Sequence, residues 1–141
     1  MPSVDMQGGY AAATVWRLAA WVAVGGVLGS LARYAVTLAL WDEWWGAPLG
    51  TLLVNVVGCC AIGALLALFD GRPGERRWRA LLVTGVLGGF TTFSGFALDT
   101  VELVDEGAWL AAGAYLALTL LAGAFAPPAG RLLVGILRGQ R

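Results

Sequence analysis

Four predominantly apolar runs govern what this chain can become, because each is long enough to cross a bilayer as a helix of about 20 residues. They occupy about residues 15–40, 48–69, 78–104 and 108–134 of the 141. Water is the wrong solvent for them. Charged residues make up 13% of the chain and hydrophobic ones 59%, whereas an ordinary soluble domain carries about 25% charged residues. Within hydrocarbon every backbone amide and carbonyl needs an internal partner, which a helix supplies and an open strand does not. The expected fold is therefore an all-α membrane protein, a single four-span domain over residues 1–141 embedded in a lipid bilayer.

An even number of spans puts both termini and the loop between spans two and three on one side. That side carries Arg17, Arg72, Arg76, Arg77, Arg79, Arg138 and Arg141, with Arg131 close by. The opposite loops carry Asp42, Glu43, Asp105 and Glu106 and no basic residue. By the positive-inside rule the termini face the cytoplasm, and the protein is a multi-pass component of the cell's inner (plasma) membrane. Trp21, Trp41, Trp44, Trp45, Trp78 and Trp109 mostly flank the spans, as interfacial aromatics do. No basic residue precedes Arg17, and the first run exceeds the roughly 7–15 residues of a signal-peptide core, so it is expected to stay in the mature chain. Residues 70–77 read as a loop. Pro48 suits a first helical turn, and Pro127 with Pro128 predicts a kink or termination late in span four.

Composition also narrows the chemistry. All nine basic residues are Arg, and there is no His to shuttle protons or bind metal. Cys59 and Cys60 are adjacent within an apolar run and read as small buried residues. There is no zinc spacing, no phosphate-binding loop and no pair of carboxylates at membrane depth in one span, so the chain is not expected to be an enzyme. Arginines scattered around a membrane chain give no soluble basic face, which argues against a nucleic-acid partner.

The chemistry that remains is concentrated in span three. The stretch Gly88, Gly89, Phe90, Thr91, Thr92, Phe93, Ser94, Gly95, Phe96 puts glycines and hydroxyls into an otherwise apolar helix. A break near 88–95 is expected, dividing the span into two half-helices. Interrupted helices at membrane depth mark ion and substrate sites. Carbonyls freed at residues 88–91 can ring a small cation. Phe93 and Phe96 lie i, i+3, and Asp99 extends that stripe. Phenyl edges carry partial positive charge, so the two rings either line an anion path or simply pack.

The other spans offer one polar position each to join it. Gly25, Gly29 and Arg33 share a face of span one. The glycines suit a close helix contact, and Arg33 either reaches the interface or sets positive potential at an anion pathway. Asn55 in span two has Gly58 and Cys59 at i+3 and i+4. It serves either an interhelical hydrogen bond or an anion, to which its NH₂ group can donate. Tyr115, Thr119 and Gly123 step along span four at i+4. They form a thin hydroxyl track unless Thr119 bonds back to its own i−4 carbonyl. Asp99 and Glu102 either lie at a pore exit or cap the polar end of the half-helix.

Together these residues resemble the Fluc (CrcB) fluoride channels of microbes over nearly the full chain. The resemblance is carried by Gly25-Gly26-Val27-Leu28-Gly29 with Arg33-Tyr34, by Gly50-Thr51-Leu52 with Val54-Asn55 and Gly58, and by the Gly-Gly-x-Thr-Thr-Phe-Ser motif at 88–94. It implies four-helix subunits paired as an inverted, antiparallel dimer, with two narrow fluoride pores and one central structural sodium ion. The carbonyls of Gly88 and Thr91 match the sodium ligands. Asn55, Phe93 and Phe96 match pore residues, Arg33 the vestibule arginine, and Tyr115 and Thr119 the polar track; Ser94 offers a further donor. The implied role is passive export of fluoride, which gives fluoride resistance.

Two departures stand out. Where such channels often carry Thr after the motif's Ser, this chain has Gly95. Its arginines are also strongly one-sided, while a chain that pairs with its own inverted copy needs little charge bias. That asymmetry points to one-way insertion and an inverted partner that is homologous but not identical, possible outcomes being a half-conducting or non-conducting subunit. A small multidrug exporter is the nearest other class, but it needs a carboxylate in span one, and residues 15–40 contain none.

Overall fold

The computed structural model describes the backbone of residues 5–40 and 48–139, with side chains from residue 14 onward in those ranges. Trp41, Trp44, Trp45, Asp42, Glu43 and Arg141 lie outside the described residues. The described elements are all helical, and four candidate spans emerge at Thr14–Ala39, Leu49–Phe69, Glu75–Asp105 and Trp109–Leu137. The first belongs to helix α1 (Asp5–Ala39) and the second is α2 (Leu49–Phe69). The third strings together α3 (Glu75–Trp78), a π-helical segment (Arg79–Leu87), α4 (Gly88–Phe90) and α5 (Phe93–Asp105). The fourth is α6 (Trp109–Leu137).

Glycine decides how these rods pair. A Cβ on Gly25 or Gly29 would strike the backbone of the π segment at Leu81 or Val86. From the other side, a Cβ on Gly85 would sit 2.9 Å from the Cα of Gly25. Backbone therefore meets backbone along α1 and the third span, the small-residue contact that membrane helices use in place of a hydrophobic drive. The second seam joins α2 to α6. Gly63 lies against the carbonyl of Pro127, and Gly130 against Cys60 and Ala64. Between 11% and 17% of the most apolar stretch of each span is buried within the chain, so most apolar side chains must be covered by lipid or another subunit.

Two expectations need correcting. Residues 75–77 are helical, because Gly74 takes the left-handed N-cap position (φ 77°) and the Glu75 carboxylate accepts the Gly71 amide at 3.0 Å. An acidic first turn also suits the helix dipole. Of the kink or termination expected at Pro127 and Pro128, termination does not occur, since α6 continues to Leu137. Two amides are lost there, but Gly130 packs on α2 and Arg138 donates to Ala67 O and Leu68 O at 3.0 and 3.1 Å. These contacts hold the last turns of α6 beside the carbonyl end of α2.

The π segment was not legible in the spacing of residues. Nine residues of π winding is unusual, as such turns mostly occur singly and at functional positions. It runs directly into α4, and the chain then leaves helical geometry at Thr91 (φ −77°, ψ 154°) and Thr92 (φ −146°, ψ 123°) before α5 starts at Phe93.

Candidate ion pathway

Thr91 and Thr92 leave helical geometry together, so their backbone groups need partners from elsewhere. Asn55 supplies two. Its Oδ1 accepts the Thr92 amide at 2.8 Å, and its Nδ2 donates to the Thr92 carbonyl at 3.0 Å. The α2 sequence makes this reach possible. A Cβ on Gly58 would collide with the Thr91 methyl, so its absence seats the extended pair one turn along from Asn55. Asn55 is thus both an interhelical bond and, with its second amide hydrogen, a free donor.

Thr92 then starts α5 as its N-cap, its hydroxyl accepting the Gly95 amide at 3.0 Å. A Cβ on Gly95 would come within 2.9 Å of the Thr92 methyl, so the glycine leaves that cap uncrowded. Ser94 Oγ lies 3.2 Å from Thr92 Oγ1. Thr92 belongs to the Gly-Gly-x-Thr-Thr-Phe-Ser motif, and a threonine ahead of an apolar helical run is an ordinary start signal.

The interruption also changes the carbonyls. Thr92 gives its amide to Asn55 and not to Gly88 four residues back, which releases the Gly88 oxygen from helical bonding. The extended ψ of Thr91 turns its carbonyl out of the helical direction. Arg33 Nε donates to Gly89 O at 3.1 Å. Half-buried Arg33 therefore ties α1 to the glycine pair, a role that neither sequence reading of this residue foresaw.

Beside the break lies a cavity of about 390 Å³ lined by Asn55, Cys59, Thr91, Thr92, Phe93, Phe96, Thr119 and Gly123 among others. The rings of Phe93 and Phe96 are 5.7 Å apart and tilted by 56°. Phe96 is buried, and it meets Tyr115 at 5.5 Å. Phe93 is 79% exposed, so one wall of the cavity is open to the surroundings of the chain.

Hydroxyls in the bundle divide sharply. Thr91 and Thr100 donate back to their i−4 carbonyls, Leu87 and Phe96, at 2.9 and 2.7 Å. Thr119 does not, contrary to the simplest reading of a threonine in span four. Its Oγ1 is buried and has no hydrogen-bond partner. An unbonded buried hydroxyl costs about 1–3 kcal/mol, so an unpaired one on a cavity wall invites a ligand. Near it, Pro127 has no amide to give the Gly123 carbonyl.

The remaining candidates fall outside the cavity lining. Tyr115 is buried with its hydroxyl donating to Asp99 Oδ2 at 3.0 Å, while Ser94 is exposed. Asp99 is thus engaged with α6 and does not cap α5, and Glu102 is exposed. The structure gathers Asn55, Phe93, Phe96 and Thr119 around one space. It sets Arg33, Tyr115 and Ser94 on the supports.

A family model described as "CrcB-like protein, Camphor Resistance (CrcB)" matches residues 20–131. The fluoride-specific ion channel FluC of Paracoccus denitrificans is 54% identical over 86 residues, covering 61% of this chain and 68% of that protein. The FluC of Roseiflexus sp. is 48% identical over 99 residues, or 67% of this chain and 78% of its own. That of Nitrobacter winogradskyi is 40% identical over 124 residues, spanning 86% and 94%.

Proposed function

The chain belongs to the CrcB-like family, and from that premise we propose that it is a fluoride-selective channel letting cytoplasmic fluoride leave the cell down its electrochemical gradient. The family is one of ion channels and not of enzymes. The observation that carries the proposal is the buried, unbonded Thr119 hydroxyl on the same cavity as Asn55 and the two phenylalanines.

Fluoride is small and tightly hydrated, so it enters a dry path only if donors replace its water. The free hydrogen of Asn55 Nδ2, the Thr119 hydroxyl, and the ring edges of Phe93 and Phe96 are donors of that kind. Weak donors in series let the ion leave again, as conduction requires. Chloride, larger and less well matched by short donors, is rejected. Arg33 places positive charge beside the glycine pair at the break, and Ser94 and Tyr115 extend the polar lining where the pathway leaves the cavity.

The carbonyls of Gly88 and Thr91 would hold a sodium ion. Both are neutral oxygen donors, the kind a hard monovalent cation accepts, and the diversion of the Thr92 amide to Asn55 supports their availability. Bound there, sodium supplies fixed positive charge to an anion path and a shared ligand for two subunits.

The exposed Phe93 and the thin internal burial support closure by an inverted second subunit, with the break at mid-membrane depth. The one-sided arginines favour a homologous, non-identical partner, in which case one of the two pores is degenerate or this subunit conducts only in the pair. They also support cytoplasmic termini and a place in the plasma membrane. Fluoride-electrode recording from liposomes reconstituted with this chain, alone and with a homologous chain, tests the function. Absence of fluoride efflux from both preparations refutes it. Labelling of the termini in cells tests orientation, and a mixed in-and-out population sinks the non-identical partner.

A further inference from the structure

At the arginine-rich end of the bundle, α2 and α6 part around a second cavity of about 540 Å³. Its lining includes Ala67, Asp70, Pro128, Arg131, Leu132 and Arg138. Arg138 is fixed there by its bonds to the last carbonyls of α2. Arg131 lies seven residues earlier on α6, on nearly the same helix face, about 10 Å along the axis at 1.5 Å per residue.

Charge in this groove is unbalanced. Asp70 is the one carboxylate on its wall, and it is already engaged by Arg79, whose Nη2 is 3.7 Å from Asp70 Oδ1 and 2.9 Å from Glu75 Oε1. Among the described residues Arg131 has no hydrogen bond or ion pair, and Arg138 binds only neutral carbonyls. Among the described residues, two guanidinium groups therefore face a cavity whose one lining carboxylate, Asp70, is paired with Arg79. Guanidinium is the side chain best shaped for phosphate oxygens.

The groove is also amphipathic along its length. Towards the bundle centre it passes Pro128 and Leu132, and the α6 surface beside it exposes Leu132, Leu133, Ile136 and Leu137 at 64%, 52%, 65% and 77%. Candidate spans two and four end at Phe69 and Leu137, so Arg138 sits at the helix ends while Arg131 sits about two turns inside. This is the depth interval where headgroup gives way to acyl chain, and long Arg side chains reach along it.

We propose that the α2–α6 groove is a binding site for an anionic glycerophospholipid. Its phosphate lies between Arg131 and Arg138, and an acyl chain runs along Pro128 and Leu132. The proposal rests on the membrane placement of the bundle and not on what ion the bundle conducts. Basic pockets between membrane helices recognise headgroups in this way. Lipid so held would clamp the carbonyl end of α2 to α6 at the seam that Gly63 and Gly130 bring together.

Native mass spectrometry of the purified protein, exposed to phosphatidylglycerol or phosphatidylcholine with the same acyl chains, tests it. Phosphatidylglycerol should be retained at least about fivefold more. Arg131→Gln should remove most of that preference and Arg131→Lys should keep a large part of it, because charge survives. Arg138→Gln should also lower retention; because that change removes an α2 cap, Arg131→Gln is the decisive variant. Equal retention of the two lipids, or full retention in Arg131→Gln, overturns the proposal. Thermal stabilisation by inorganic phosphate equal to that by phosphatidylglycerol also overturns it, by assigning the groove to a free anion. Loss of fluoride efflux in Arg131→Gln with lipid retention intact overturns it too, by assigning the groove to the ion path.

Discussion

Two stretches of this chain forbid a regular helix, and they end differently. At Thr91 and Thr92 the backbone leaves helical geometry for two residues, while at Pro127 and Pro128 the helix runs on to Leu137. Proline is the stronger breaker by intrinsic preference, costing about 3 kcal/mol in a helix interior against about 1 kcal/mol for glycine. Preference alone therefore picks the wrong site. The difference lies in what waits beside each stretch. Asn55 offers the Thr92 amide an acceptor and the Thr92 carbonyl a donor, so the departure from helix leaves neither group bare. Beside the prolines stands the backbone of α2, packed through Gly63 and Gly130, and this close backbone contact holds the helix on its course. A membrane helix opens where a neighbour accepts its backbone.

The sharpest way to break the contrast is to remove the receiver. Asn55→Leu strips both partners from Thr92, leaving two half-buried groups at up to about 1–3 kcal/mol each. Thermal unfolding should show a loss of up to roughly 2–6 kcal/mol, and efflux should fall to background. Asn55→Asp keeps the acceptor but loses the donors and adds negative charge, so efflux should slow with a smaller loss of stability. Unchanged efflux in Asn55→Asp would remove Asn55 from the path.

The proline side of the comparison can be attacked through its support. Gly130→Val forces a branched side chain against the α2 backbone at Cys60 and Ala64. Overpacking of this kind costs about 1–3 kcal/mol, read as a lower unfolding temperature. Stability equal to wild type would mean that the seam does not hold α6 in place.

Smaller effects sharpen the assignment of the hydroxyls. Thr119→Val loses no hydrogen bond within the chain, so stability should hold or rise slightly, while efflux should drop about tenfold, equivalent to about 1.4 kcal/mol in the barrier. Thr100→Val is the control: it loses the bond to Phe96 O and should cost about 1 kcal/mol of stability with little effect on efflux. The reverse pattern would move the donor role away from Thr119. The smallest change is expected in the helix content of Pro127→Ala, which should stay nearly unchanged by circular dichroism. The amide returned to the Gly123 carbonyl raises stability, read as the unfolding temperature, by at most the roughly 3 kcal/mol that a helix-interior proline costs.

Much of this molecule is legible in one dimension. The four spans follow from the length and apolarity of the runs, and the observed span limits depart from the expected ones by at most about three residues, the early start at Glu75 included. The small-residue contact expected at Gly25 and Gly29 follows from their i, i+4 spacing. Site legibility was partial. Residue types near 88–96 flag a cluster of glycine, hydroxyl and ring, but the residues alone leave Asn55 divided between two roles and Thr119 between a hydroxyl track and a bond to its own i−4 carbonyl, which it does not make. The π winding shows no pattern in one dimension, and what Thr92 and Cys59 do is set by neighbours far along the chain.

Apolar run length, charge placement and residue type are properties of the chain itself. They determine by themselves that it is a four-span helical membrane protein, since the transfer of such runs into hydrocarbon outweighs any alternative arrangement in water. Hydrogen-bond partners at low dielectric are a property of proximity. Only the packing of the four spans against one another could decide that Asn55 clasps Thr92, that Arg33 takes the Gly89 carbonyl and that Thr119 is left with its hydroxyl unspent, because each outcome depends on which groups from distant segments arrive within about 3 Å.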